Sequence, residues 1–149
     1  MIDVETPRGS DVVGRDPARA PMRWDSSLLG GFTSGMPWLP LGPAGLNVHD
    51  QSVDPDSTLS FYRDVIALRR RHASLRSGAY TPLSSPPSVL AWRRGEDIDI
   101  AVNLGTDESH IDIRGTVIAA TTRARVGEAI GAEGIALQSG EGVMLLRRG

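Results

Sequence analysis

The sequence predicts a mainly β fold: an extended loop arm and one long helix, followed by a small antiparallel β-sandwich. Three observations carry that expectation. Residues 1 to 56 are dense in proline and glycine and show little sustained periodicity. Residues 57 to 72 place apolar side chains at helical spacing, and from Ser77 onward short alternating runs are separated by turn residues.

A loop as long as the arm is uncommon in a compact domain and usually belongs to a functional surface or to disorder. Trp24, Phe32, Trp38 and Leu39 favour the first reading, because large apolar side chains act as anchors that pack on something. In the helix, Asp54-Pro55-Asp56-Ser57 supplies capping side chains and a proline suited to a first turn. Leu59, Phe61, Tyr62, Val65, Ile66 and Leu68 form its apolar stripe. Each large side chain contributes roughly 1.5–3 kcal/mol on full burial, so a stripe of this width must find a partner surface. Arg69, Arg70, Arg71 and His72 end the helix, where cations suit the negative end of the dipole.

Strands are expected at Val89 to Arg93, Ile98 to Leu104, His110 to Ile113, Val117 to Ala120, Ile135 to Gln138 and Val143 to Arg147. Alternation is clearest in Asp97-Ile98-Asp99-Ile100-Ala101-Val102, which places the aspartates at strand edges or on a solvent face. Gly95, Gly105, Gly115, Gly140 and Gly142 are expected in the turns between runs.

Composition removes several classes of function. A net charge of -2 gives no electrostatic case for nucleic acid or an anionic membrane. All 16 basic residues are arginine, and cysteine is absent, which excludes a disulfide framework, a thiol nucleophile and a cysteine-ligated metal. No apolar run approaches the roughly 18 residues of a membrane span, and the acidic start Met1-Ile2-Asp3-Val4-Glu5 is unlike a secretory signal. The cytoplasm is the expected location. His49, His72 and His110 are too widely spaced for a metal motif, and neither a nucleophile elbow nor a phosphate loop is present. No cofactor and no metal are expected. Asp16 and Asp25 read as turn formers or ion-pair partners rather than a catalytic carboxylate pair, and Asp54 and Asp56 as helix caps. No residue of the chain is assigned a catalytic role.

The stretch from Gly14 to Asp25, Gly-Arg-Asp-Pro-Ala-Arg-Ala-Pro-Met-Arg-Trp-Asp, concentrates guanidinium groups, carboxylates, prolines and a tryptophan in one loop. It resembles the segment after the eighth barrel strand in α-glucosidases of the α-amylase superfamily (glycoside hydrolase family 13, oligo-1,6-glucosidase type). The likeness continues through Phe32-Thr33, Pro37-Trp38-Leu39-Pro40, Asn47-Val48 and Gln51, then through Tyr62-Arg63, Ile66-Ala67-Leu68-Arg69-Arg70 and Leu75-Arg76-Ser77-Gly78. It is specific over residues 14 to 80, and covers the β half in position and pattern only.

The resemblance implies a retaining glycosidase on a (β/α)8 barrel, with residues 1–76 the C-terminal end of the barrel and residues 77–149 its C-terminal sandwich. Substrate binding would fall on Arg19, with Arg15 and Asp16 shaping the loop. Arg19 would hold a terminal glucose unit, since forked guanidinium donors suit hydroxyls and carboxylate together; pinning the loop through an ion pair is the equal alternative. Ala20 stands where the family prefers threonine. Trp24 and Trp38 could stack on a sugar or pack on barrel helices. The family's aspartate nucleophile, glutamate acid/base and assisting aspartate lie upstream of this segment. The chain is therefore expected to be non-catalytic by itself, and Met1 would correspond to an internal methionine of relatives, as in a truncated gene, a misassigned start or one half of a split enzyme. The implied partners are an α-glucoside or a malto- or isomalto-oligosaccharide in the intact enzyme, and a catalytic barrel chain. A free-standing carbohydrate-binding sandwich is the other alternative, with Trp92 the only tryptophan in the β half.

Overall fold

A computed structural model describes residues 19–147. The chain divides into two compact units, Met1–Ser57 and Thr58–Gly149. Among the described residues, the first unit has one short helix, α1 (Val48–Val53). Of the arm's expected anchors, Leu39 is buried, whereas Trp24, Phe32 and Trp38 are exposed. Asp54 stands at the C-cap of α1, and its carboxylate accepts the Asp56 amide at 2.9 Å.

The second unit opens with α2 (Thr58–Arg71) and α3 (Ala73–Ser77). Eight strands follow: β1 (Tyr80–Pro82), β2 (Val89–Arg94), β3 (Ile98–Asn103), β4 (Ser109–Ile111), β5 (Gly115–Ala120), β6 (Ala129–Ile130), β7 (Ile135–Leu137) and β8 (Gly142–Leu146). They form a six-stranded sheet in the order β1-β2-β3-β8-β5-β6 and a two-stranded sheet of β4 and β7. Every pairing is antiparallel. β1 and β6 lie outside the sequence expectation because they are too short to display alternation, and β1 carries Pro82 on a sheet edge, where a missing donor is tolerated.

The inner core is the seam between the sheets. Val89, Ala91, Ala101, Val117, Val143 and Leu145 of the large sheet meet Ile111, Ile135 and Leu137 near or in the small one. The opposite face of the large sheet is covered by the helices: Ile98, Ile100 and Leu75 are buried there, with Leu68, Trp92 and Met144 packed around them. Both faces of β3 are consequently occupied. Asp99, expected on a solvent face or at a strand edge, is 2% exposed and looks into the inner side of the sheet. The cause is charge compensation. Arg93 on β2 grips its carboxylate at 2.6 and 3.1 Å, and Arg147 approaches at 3.5 Å.

Two of the expected turn glycines are strand residues, Gly115 at the start of β5 and Gly142 at the start of β8. Gly115 is required by space: its φ is 144°, and a Cβ there would lie 2.3 Å from the Leu146 carbonyl oxygen. A bulge between Val117 and Ala119 then reverses the side-chain phase, so that Ile118 joins the helix-covered face while Val117 and Ala120 enter the inner core.

The α2 stripe is only partly used. Val65 and Leu68 line the helix-covered face, whereas Tyr62 and Ile66 are 63% and 48% exposed. Arg123, after β5, pairs with Asp64 and lies 5.8 Å from the Phe61 ring, which ties the first half of α2 down. At the junction of the two helices, Arg69 of α2 donates to the Leu75 carbonyl, and Arg76 of α3 donates to that of Arg70.

Candidate functional site

The candidate site is the described part of the arginine-rich loop and its support within the first unit. Its geometry grows from one tight turn. The Asp25 carboxylate accepts the Ser27 amide at 2.9 Å and the Ser27 hydroxyl at 2.5 Å, closing an Asx-type turn. The chain then returns so that the Gly30 carbonyl accepts the Trp24 amide at 2.7 Å. Gly30 and Gly31 both take φ of 62°, and a Cβ on Gly31 would meet the Asp25 carboxylate at 2.7 Å. The glycine pair is thus what lets the turn close against Asp25.

Arg23 clamps this turn to the next segment. Its Nε donates to the Gly42 carbonyl at 2.6 Å and its Nη1 to that of Ser27 at 2.9 Å. The first amides of a helix lack intrahelical acceptors, and α1 finds them in the same loop. Val48 donates to the Arg23 carbonyl at 3.1 Å, His49 to that of Trp24 at 2.9 Å, and Asp50 to the Asn47 side chain at 2.9 Å. Asn47, 2% exposed, also donates to the Ala44 carbonyl and to the Asp50 carboxylate. The Arg23-Trp24-Asp25 segment and α1 therefore hold each other in place. Arg23 carried no signal of its own in the sequence, because the carbonyls it clamps lie on Ser27 and the distant Gly42.

The expected site residues divide. Arg15 and Asp16 lie outside the described residues. Arg19 is exposed, and no hydrogen bond or ion pair engages it among the described residues. Asp25 is committed to Ser27, and those hydrogen bonds, from side chain first and backbone second, hold its carboxyl below the usual aspartate value of 3.8. An acid kept ionised in this way is poorly suited to donate a proton near neutrality. Asp50 is likewise engaged by Asn47. No group of three or more histidine, cysteine or acidic side chains that could hold a metal occurs among the described residues. No described helix is long and apolar enough to cross a membrane. The arrangement can present a cation and aromatic faces to a ligand on a stiff frame.

Comparison with known proteins agrees with this loop being a family feature. Residues 3–78, just over half of the chain, match the catalytic domain of the α-amylase family. The chain is 43% identical over 84 residues to an oligo-1,6-glucosidase of Halalkalibacterium halodurans, covering 54% of this chain and 15% of that protein. It is 33% identical over 112 residues to a glucan 1,6-alpha-glucosidase of Streptococcus pneumoniae, covering 71% of this chain and 21% of that protein. The crystal structure of the trehalulose synthase MutB from Pseudomonas mesoacidophila matches with a TM-score of 0.77 and 27% identity, over 89% of this chain and 26% of that one. The chain thus spans about a sixth to a fifth of the length of these curated relatives. Its β unit corresponds to the C-terminal sandwich of such barrel enzymes, and the chain belongs to the α-amylase family of glycoside hydrolases, of the α-glucosidase type.

Proposed function

We propose that the chain is the C-terminal part of an α-glucosidase-type hydrolase of cytoplasmic carbohydrate metabolism and does not hydrolyse glycosides by itself. In this reading residues 1–76 complete the barrel, with 57–72 as its closing helix, and residues 77–149 form the appended sandwich. Arg19 contacts a terminal glucose unit of a malto- or isomalto-oligosaccharide, with Arg15 and Asp16 shaping the loop around it. The observation that supports this division of labour is the state of the loop's groups: the Asp25 carboxylate is consumed by Ser27, while no described partner engages the exposed Arg19. Among its described residues such a loop offers groups that can bind but no free acid/base pair.

A second reading makes the chain an interaction module that completes a separate catalytic barrel chain. It is favoured by the large apolar side chains left exposed, Trp38 at 82% and Tyr62 at 63% among them. The test is hydrolysis of an α-glucoside by the purified chain, with and without a co-expressed barrel half carrying the catalytic carboxylates. Activity only in the mixture, lost on Arg19→Ala, is the expected outcome of the interaction reading. An inactive mixture with a folded barrel half supports the non-catalytic portion alone, and hydrolysis by the isolated chain overturns both.

A further inference from the structure

The helix-covered face of the large sheet holds a second candidate site, unrelated to the arginine-rich loop. An open cavity of about 330 Å³ lies between α2, α3 and strands β2, β3 and β8. Trp92, Arg94, Arg69, Leu75, Val65 and Met144 line it. Trp92 and Arg94 stand two residues apart on β2 and so share a face; their strand partners on β1 are Pro82 and Tyr80. The Tyr80 ring stacks on the Trp92 ring at 6.3 Å with planes 28° apart, which stiffens the indole as a preformed wall.

The polar lining is one-sided. Arg69 is fixed by its bond to the Leu75 carbonyl and keeps further donors. Arg94 is half-buried, and among the described residues no side-chain hydrogen bond or ion pair engages its guanidinium. A guanidinium carries five donors and no acceptor, and the indole offers a donor only. Among the described residues, no carboxylate, amide or hydroxyl side chain lines the cavity. A neutral sugar would bring hydroxyl protons for which no lining side chain offers an acceptor, whereas an oxyanion accepts only and matches the guanidinium groups. The volume stands at the lower end of small-molecule sites, enough for one ring and its charged group.

We propose that this cavity binds a small oxyanion, a phosphomonoester or a carboxylate, borne on a ring that lies against Trp92. Arg94 forms the main ion pair, and Arg69 adds a second donor. The site is independent of the catalytic reading, because it uses only residues of the sandwich unit and α2–α3.

The test titrates the full chain with glucose 6-phosphate, benzoate, inorganic phosphate and glucose at constant ionic strength, following the Trp92 indole N–H by NMR. Saturable shifts of that signal are expected with glucose 6-phosphate or with benzoate, which separates the phosphate from the carboxylate source, and none with glucose. Arg94→Met is expected to weaken the binding at least tenfold, as loss of a charge-assisted bond does, with an unchanged melting curve. Arg94→Lys should recover part of the affinity. Binding of glucose as tight as that of its phosphate would overturn the proposal. So would the absence of saturation by every anion, response to inorganic phosphate alone, or shifts that persist in Arg94→Met.

Discussion

The Asn103 side-chain amide on β3 lies 3.0 Å from the Leu137 carbonyl on β7, a hydrogen bond that joins the two sheets through the core. The same nitrogen reaches the Asp107 and Gln138 carbonyls at 2.8 and 3.1 Å, and the side-chain oxygen accepts the Gly105 amide at 3.0 Å. Asn103 is fully buried, so these carbonyls have no access to water through it. Asn103→Ala is expected to cost about 1–3 kcal/mol, because the buried Leu137 carbonyl and three part-buried backbone groups lose their partner at once. Urea denaturation of the two proteins checks it, and a loss under about 1 kcal/mol would show that the sheets do not depend on this joint.

Arg93 and Asp99 make the other inward polar contact of the large sheet. Arg93 is raised above its usual pKa, first by the hydrogen bond to Asp99, and the pair is shielded on the carboxylate side. Arg93→Met should destabilise the fold by about 2–3 kcal/mol, somewhat less than a fully buried pair because the arginine is partly exposed and Arg147 remains. The double change Arg93→Met with Asp99→Leu should be milder than the single one, since no charge is then left stranded. A double variant as unstable as the sum of its singles would contradict that account.

For Asp25 the folded pKa lies below its unfolded value, so its contribution to stability is present above about pH 4 and fades as pH falls through the folded value. A carboxyl titration by NMR should place the Asp25 midpoint under 3.8. In Ser27→Ala the midpoint should move upward, and an unmoved midpoint would separate the shift from Ser27.

On α2, neighbouring apolar side chains have opposite surroundings. Leu68 packs on the buried Leu75, Ile98 and Ile100, whereas Ile66 is 48% exposed. Leu68→Ala should cost about 1–3 kcal/mol and Ile66→Ala under about 1 kcal/mol. Ile66→Glu should likewise leave the melting curve nearly in place, since the side chain is 48% exposed. Equal losses for Leu68→Ala and Ile66→Ala would show that both sides of the helix are packed.

Much of the fold was legible in the chain because its signals are local. The α2 stripe, its basic end and the alternating runs of β2, β3 and β8 depend on residues within a few positions of one another. The order of motifs from Gly14 to Gly78 likewise sufficed to identify the family, and the matched relatives agree. Arg23, by contrast, could be recognised as a clamp only once Gly42 and Ser27 were seen beside it.

The sequence by itself determined the class, the element types and the kinship. Tertiary structure alone decided which face each element buries and which charges meet. Asp99 reads as a solvent residue in any local pattern, and is buried because Arg93 on the neighbouring strand and Arg147 after β8 converge on it. Gly115 reads as a turn, and is a strand residue because the Leu146 carbonyl occupies the space of a Cβ. Trp92 reads as part of an ordinary strand ending at Arg93; the strand runs on to Arg94, and both residues line a cavity because α2 and α3 cover that face of the sheet. Periodicity is carried by neighbours in the chain, whereas burial, charge pairing and cavities are set by neighbours in space.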